Sequence, residues 1–162
     1  MVKFHIKSYL NIILLISLFS IIYAYFLEYV IGYQPCNLCL IQRIPYVVSI
    51  ILIIVNNIFK DFEKFIVFLL FITFVFSFAI SFYHFGIEQG FFNESPICEV
   101  KNTTQMITKE DILKKLDKIP ISCKDVTFRI FGLSLSSVNI LVSLIITIIL
   151  IKIYNKYEKI KP

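Results

Sequence analysis

Three long stretches of this chain carry no charged residue. They are the 20 residues between Lys7 and Glu28, the 23 residues between Lys64 and Glu88, and the 22 residues between Arg129 and Lys152. A helix needs about 20 mostly apolar residues to cross the hydrocarbon core of a bilayer. Each stretch therefore predicts a membrane-spanning helix. The sequence as a whole is 58% hydrophobic and only 17% charged, which excludes a soluble domain and a disordered chain.

A fourth span is expected between Arg43 and Lys60, although only 16 residues separate these two charges. Its helix must begin near Leu40, with the long Arg43 side chain reaching back to the interface. Backbone amides in lipid need partners within the chain, and the sequence shows no alternating ten-residue strands, so helices are the expected solution. We predict one all-α domain over residues 1–162, an integral membrane four-helix bundle with helices at about 9–27, 40–59, 65–86 and 133–152.

Lysine residues concentrate in short segments on one side of the predicted bundle. They lie before helix 1, between helices 2 and 3, and after helix 4: Lys3, Lys7, Lys60, Lys64, Lys152, Lys156, Lys159 and Lys161. The positive-inside rule then places both termini in the cytoplasm. Two loops face the other side, loop A at about residues 28–39 and loop B at about residues 87–129. We expect the first span to be retained, because its apolar stretch is longer than that of a signal peptide.

The four cysteines of the chain all fall in these two loops. Cys36 and Cys39 belong to loop A, and Cys98 and Cys123 belong to loop B. Both loops face the side on which disulfides form and persist. Four cysteines allow three pairings, and the sequence alone does not choose among them. Cys36 and Cys39 nevertheless form a C-x-x-C, whose two sulfurs can join across one turn.

The C-x-x-C lies where a reactive thiolate is expected. Cys39 is at the predicted N-terminus of helix 2, where unpaired amides and the helix dipole favour negative charge. Arg43, one helical turn further on, adds a fixed positive charge on the same face. This arrangement predicts a reactive disulfide beside the bilayer, where a lipid-soluble oxidant could dock.

The cysteines allow two other interpretations. A zinc site would want a second short Cys or His spacing, and loop B supplies neither, so no metal is expected. A non-enzymatic membrane subunit with purely structural disulfides is the other alternative. Its disulfides would have no use for an activated thiolate, which favours a redox-active pair.

A longer segment around the C-x-x-C resembles the signature of the DsbB family of disulfide bond formation proteins, in particular its short proteobacterial branch. That segment is Pro35-Cys36-Asn37-Leu38-Cys39-Leu40-Ile41-Gln42-Arg43-Ile44-Pro45-Tyr46. Two later segments resemble the same branch: Tyr83–Gly90 after helix 3, and Cys123-Lys124-Asp125 followed by Phe131–Ser134 before helix 4. The resemblance runs in the same order through nearly the whole chain.

This resemblance implies an oxidoreductase of the bacterial inner membrane that reoxidises a DsbA-like periplasmic thioredoxin-fold protein. Its cofactor would be a quinone, ubiquinone or menaquinone, taken from the membrane lipid, and nucleic acid is not an expected partner. Cys36 and Cys39 match the pair that passes electrons to the quinone, with Cys39 facing the ring. Cys98 and Cys123 match the pair that exchanges with the partner protein, and Cys98 matches the sulfur that the partner attacks.

The resemblance also implies a quinone site. Arg43 matches the arginine that supports the quinone, and His84, near the outer end of helix 3, is a weaker match to the same site. A vitamin K epoxide reductase-like enzyme is an alternative with a similar set of parts, but it would carry its C-x-x-C at a late span.

Within loop B, the spacing of apolar residues over 109–119 predicts a short amphipathic helix lying on the membrane surface.

Overall fold

The computed structural model describes residues 2–59, 62–93, 98, 122–124, 129–130 and 132–158. Within these residues, four helices are long and apolar enough to cross a membrane, which confirms the prediction of an all-helical four-span protein. They are α1 (Val2–Tyr29), α2 (Asn37–Ile58), α3 (Glu63–Glu88) and α4 (Leu135–Glu158). Just before α4, the two-residue strands β1 (Arg129–Ile130) and β2 (Leu133–Ser134) pair in antiparallel fashion around Gly132. The helix predicted at 109–119 lies outside the described residues.

The second helix begins at Asn37, earlier than the start near Leu40 that the charge pattern predicts. The cause is that the sulfur of Cys36 caps the N-terminus of the helix. Cys36 has an extended backbone, and its Sγ accepts a hydrogen bond from the N–H of Cys39 at 3.3 Å. Such a cap satisfies one of the amides that the first turn of a helix leaves unpaired. The C-x-x-C is therefore part of the helix start.

The helices pack mainly through α3, which lies against both α4 and α2, while α2 also lies against α1. The core between them is apolar and fully buried, with Ile13, Ile53, Phe74 and Ile146 all 0% exposed. Side chains such as Phe19, which is 70% exposed, point away from the bundle. Because lipid tails are as apolar as this core, close packing stabilises the helix contacts more than hydrophobicity does.

Small polar side chains also join neighbouring helices. Ser17 of α1 bonds to Ser49 of α2 at 2.8 Å, and Ser77 of α3 bonds to Ser143 of α4 at 3.0 Å. Nearer to the cysteines, Nδ2 of Asn139 donates to Ser81 Oγ at 2.7 Å. Hydrogen bonds of this kind fix the rotation of each helix about its axis, because the partners must face each other.

The end of α3 is shaped by two glycines. Gly90 adopts a φ of 78°, and the N–H groups of Phe91 and Phe92 then donate to the carbonyl of Gly86 at 2.8 and 3.2 Å. The ring of Phe92 stacks on Tyr83, and a Cβ on Gly86 would lie 2.1 Å from that ring. Gly86 therefore lets the chain fold back over the last turn of α3, which positions the beginning of loop B.

One end of the bundle collects four helix ends. The C-terminal turns of α1 and α3 and the N-terminal turns of α2 and α4 surround a common cavity there, represented by Glu28, Glu88, Cys39 and Leu135. Loop A and the beginning of loop B leave from this same end. All of the cysteines that the sequence singled out meet there.

Candidate redox site

The C-x-x-C pair sits at the beginning of α2 with its sulfurs in contact. Sγ of Cys36 lies 2.8 Å from Sγ of Cys39, and both side chains are free thiols. Cys36 is buried and Cys39 is half-buried. Because the helix starts at Asn37, the sulfur that receives its N-terminal amide is that of Cys36.

Cys36 is the sulfur whose charge this environment stabilises. The hydrogen bond from the Cys39 thiol is the largest influence, and His84 contributes further, so that the pKa of Cys36 is lowered to about 4 against the opposing effect of burial. A thiolate with so low a pKa is stable at neutral pH and a good leaving group in exchange. The sequence predicts the thiolate at Cys39 because it expects the helix to begin there; with the helix beginning at Asn37, the N-terminal amide faces the sulfur of Cys36 instead.

His84 comes to the cysteines from the last turns of α3. Its Nε2 lies 3.6 Å from Sγ of Cys36, and its Nδ1 lies 3.0 Å from the side-chain amide of Gln42. Oε1 of Glu88, one turn further along α3, is 3.6 Å from the same Nε2. Ser136 of α4 donates to the other oxygen of Glu88 at 2.5 Å. The imidazole is thus fixed from both sides and faces the thiol pair.

Arg43 lies on the same side of α2 as the cysteines, as the spacing predicts, and lines the cavity with them. Its guanidinium donates to Oε2 of Glu28 at 2.5 Å and lies 5.2 Å from the centre of the Tyr25 ring. Both partners belong to the end of α1. The ion pair and the cation–π contact hold the charge of Arg43 at the wall of the cavity.

The second cysteine pair is a disulfide. Cys98 and Cys123 are bonded, with their Cα atoms 5.5 Å apart, and each is only 2% exposed. This disulfide packs in one apolar cluster with Cys36, Leu38 and Ile87. The two pairs of cysteines, which come from different loops, are therefore neighbours.

A cavity of about 430 Å³ opens beside the cysteines. Its polar wall contains Cys36, Cys39, Arg43, His84 and Glu88, and Cys123 reaches it from loop B. The rest of the wall is largely apolar and comes from α1 and α4, with Ile16, Ala24, Val138 and Val142 among its members. A cavity of this size with a few polar groups at one end is typical of a site for a small, mostly apolar molecule.

Four residues of this site were not singled out from the sequence: Glu28, Gln42, Glu88 and Ser136. A signal existed for three of them. Glu28 and Glu88 are the charges that end the first and second uncharged stretches, and Glu88 also stands four residues after His84, a spacing that puts the two on one helix face. Gln42 lies in the segment that resembles the DsbB signature, whereas Ser136 carries no comparable signal.

The geometry defines a class of protein: a multi-pass membrane thiol–disulfide oxidoreductase, in which a dithiol at the start of a helix lies beside both a disulfide and a cavity. Comparison with known proteins agrees with this class. The chain belongs to the DsbB family of disulfide bond formation proteins, whose family model matches residues 7–153. An uncharacterised protein of Rickettsia prowazekii (strain Madrid E) is 32% identical over 155 residues, covering 93% of this chain and 90% of that protein. No solved structure matches the chain significantly.

Proposed function

We propose that this protein is a quinone-dependent thiol oxidase of the bacterial inner membrane, with both termini in the cytoplasm and the cysteines on the periplasmic side. Its substrate is the reduced form of a DsbA-like thioredoxin-fold protein, which in turn forms disulfides in secreted proteins. The observation that carries this proposal is that the Cys98–Cys123 disulfide and Cys36 belong to one buried cluster, beside a cavity at the end of the bundle from which both loops leave. Sulfurs must touch to exchange, and here two pairs do lie together.

The first step takes place at the loop disulfide. A thiolate of the partner attacks Cys98, the Cys98–Cys123 bond breaks, and Cys123 leaves as a thiolate. The second thiol of the partner then attacks the mixed disulfide, so that the partner leaves with a disulfide and Cys98 and Cys123 remain as a dithiol. Two electrons and two protons have passed from the partner to loop B.

The second step moves the electrons inward to the C-x-x-C. A thiolate of the loop pair attacks the Cys36–Cys39 disulfide and the loop disulfide forms again, which leaves Cys36 and Cys39 reduced. The low pKa of Cys36 favours its departure as a thiolate in this exchange. In the reduced pair, the amide of Cys39 and the ring of His84 both face the negative charge on the sulfur of Cys36.

The size of the cavity and the arrangement of its apolar and polar walls suit a quinone. Its apolar walls suit the ring and the isoprenoid tail, and Arg43 and His84 supply polar groups at the end where Cys39 lines the wall. When bound there, the quinone would supply the oxidising power, because it can accept two electrons and two protons. Arg43 is held by Glu28 and Tyr25 and would stabilise negative charge. Cys39 is the sulfur that we assign to the quinone side.

The proposal is tested by a coupled assay with the purified full-length protein in detergent. A reduced DsbA-like protein is mixed with a short-chain ubiquinone or menaquinone analogue, and the loss of quinone absorbance is compared with the loss of partner thiols. We expect many turnovers, with one quinone reduced for each partner disulfide formed. Partner oxidation that proceeds without quinone consumption, or no oxidation with either quinone, would contradict the proposed function.

A further inference from the structure

The reduced C-x-x-C and His84 form a compact group of metal-binding atoms. One ligand atom from each of Cys36, Cys39 and His84 lies within 4.8 Å of the others. Two thiolates and an imidazole are the donors that zinc and similar ions prefer. The sequence analysis expects no metal, because it looks for a second ligand pair in loop B; the histidine comes instead from α3, 45 positions after Cys39.

The distances are close to those of a tetrahedral zinc site. With Zn–S near 2.3 Å and Zn–N near 2.0 Å, a sulfur and a nitrogen on the same ion are about 3.6 Å apart. Sγ of Cys36 and Nε2 of His84 are separated by 3.6 Å. The two sulfurs, at 2.8 Å, would have to separate by about 1 Å. Cys39 is half-buried and borders the cavity, so rotation of its side chain allows this separation.

Glu88 stands beside this group, although its oxygens are not among the ligand atoms that all lie within 4.8 Å of one another. Oε1 of Glu88 lies 3.6 Å from Nε2 of His84, and its second oxygen is held by Ser136. Nδ1 of His84 faces the amide of Gln42 at 3.0 Å. In the structure the amide nitrogen of Gln42 faces Nδ1, an arrangement that leaves the proton on Nε2, toward Cys36. Metal binding therefore requires the Gln42 amide to turn its oxygen to Nδ1, so that Nδ1 carries the proton and the lone pair of Nε2 faces the sulfurs. Ligating histidines in metal sites are usually held in this way through their other nitrogen.

We propose that the reduced Cys36–Cys39 pair and His84 bind one zinc-like divalent ion, with Glu88 moving in as the fourth donor, and that oxidation of the pair abolishes the site. Binding forms two sulfur–metal bonds, one to the Cys36 thiolate and one to Cys39, whose thiol proton is released to solvent, with no change in oxidation state. When a thiol oxidant withdraws two electrons and joins the sulfurs, both thiolate donors are lost and the ion leaves. The site is therefore specific for the reduced enzyme.

The consequence for activity rests on the proposed function. An ion held by both sulfurs blocks their reoxidation, so zinc would act as an inhibitor that traps the reduced enzyme. The metal site itself does not depend on that function, because it needs only the reduced pair. Binding and inhibition are accordingly measured separately.

Binding is tested with Co²⁺, whose thiolate complexes absorb light, in a Cys98→Ser/Cys123→Ser variant that keeps only the C-x-x-C. With the pair reduced and no quinone added, we expect one Co²⁺ per protein, a thiolate-to-cobalt band in the near ultraviolet, tetrahedral bands in the visible, and displacement by Zn²⁺. Oxidation with diamide should remove all of these bands. A reduced protein without the thiolate band would overturn the proposal.

Matched variants locate the other ligands. His84→Ala should weaken Co²⁺ binding at least tenfold and change the visible bands, whereas His5→Ala, which removes the other histidine of the chain, should leave both unchanged. Glu88→Gln should alter the visible bands, and Glu63→Gln at the far end of α3 should not. Equal affinities in the His84→Ala and His5→Ala proteins would contradict the site.

A second measurement covers the case in which the serine variant does not fold. In reduced wild-type protein, Zn²⁺ should protect Cys36 and Cys39 from alkylation, as read by mass spectrometry of each peptide, and EDTA should restore their labelling. Alkylation of both cysteines at an unchanged rate would overturn the metal site. In the coupled assay, excess Zn²⁺ should lower turnover at least tenfold and EDTA should restore it. Turnover that is unaffected by zinc in a protein with a demonstrated site would refute the inhibition alone.

Discussion

The Nε2 atom of His84 lies 3.6 Å from the sulfur of Cys36, although the two residues are 48 positions apart in the sequence. The ring is fixed at its other nitrogen by Gln42 and is followed one turn later by Glu88. This relationship joins the end of α3 to the start of α2 at the reactive sulfur. It gives Cys36 a hydrogen-bond partner in addition to the Cys39 thiol and amide.

The first prediction concerns the pH dependence of Cys36 in the reduced protein. Its pKa is lowered to about 4, so the thiolate is fully present at neutral pH and is lost as the pH falls through about 4. The rate of its alkylation should therefore be nearly constant between about pH 8 and about pH 6, where an ordinary thiol with a pKa near 8.5 becomes roughly tenfold slower per unit. The measurement is iodoacetamide labelling in the presence of EDTA, with Cys36 followed by peptide mass spectrometry.

His84→Ala is the matching variant for that experiment, because it removes a contact that lowers the pKa of Cys36. The pH of half-maximal labelling should rise in this protein and stay unchanged in His5→Ala. If the alkylation rate of wild-type Cys36 varies with pH like that of an ordinary thiol, the assignment of the thiolate to this sulfur is contradicted.

The second prediction concerns Arg43. Arg43→Gln keeps a polar side chain but removes the charge that Glu28 and Tyr25 hold beside the cavity. We expect the KM for quinone to rise by about tenfold, which corresponds to about 1.4 kcal/mol, with thiol exchange at Cys98 nearly unaffected. The measurement is steady-state kinetics at varied quinone concentration.

Lys64→Gln is the matched control for Arg43→Gln. Lys64 also lies over an aromatic ring, that of Tyr154 at 5.4 Å, but it stands at the opposite end of α3 from the cysteines. Its substitution should leave the KM for quinone unchanged. An equal rise of KM in both variants would show that loss of positive charge, rather than the position of Arg43, causes the effect.

The sequence predicted the helix count well because the signal is local. Charges at Lys7, Glu28 and Lys64 bound the apolar stretches directly, and span number follows from their spacing. The charge pattern predicts the start of α2 too late, since a cysteine sulfur that caps its own helix leaves no charge or composition signal. The contacts of His84 with Cys36 and Gln42 depend on how α3 is rotated against α2, and that rotation is fixed by interhelical packing that no single stretch encodes.

The third prediction separates packing from lipid contact on one helix. Ile53 of α2 is 0% exposed in the core, whereas Ile51 is 55% exposed. Ile53→Ala leaves a cavity that neighbouring helices cannot fill and should lower the free energy of unfolding by about 2 kcal/mol or more. Ile51→Ala should cost less than about 1 kcal/mol, because lipid tails can occupy the vacated space. Reversible unfolding in mixed micelles measures both, and equal losses would contradict the assigned core.

The fourth prediction concerns sidedness. After reduction of intact cells, a membrane-impermeant maleimide should label Cys39 and Cys123, because both border the cavity at the proposed periplasmic end. A cysteine introduced by Glu63→Cys, at the other end of α3, should react only after the cells are permeabilised. Labelling of the two loops from opposite faces would be incompatible with exchange, since about 30 Å of hydrocarbon would separate the sulfurs.

The most direct test of the central claim, that two neighbouring cysteine pairs act in series, is to measure each half-reaction in two double variants. Cys98→Ser/Cys123→Ser should fail to oxidise the partner, yet its chemically reduced Cys36 and Cys39 should still be reoxidised by quinone. Cys36→Ser/Cys39→Ser should oxidise one equivalent of partner with its loop disulfide and then stop, with no quinone consumed. Loss of both half-reactions in each folded variant would contradict the relay and indicate that the four cysteines act only as one structural unit.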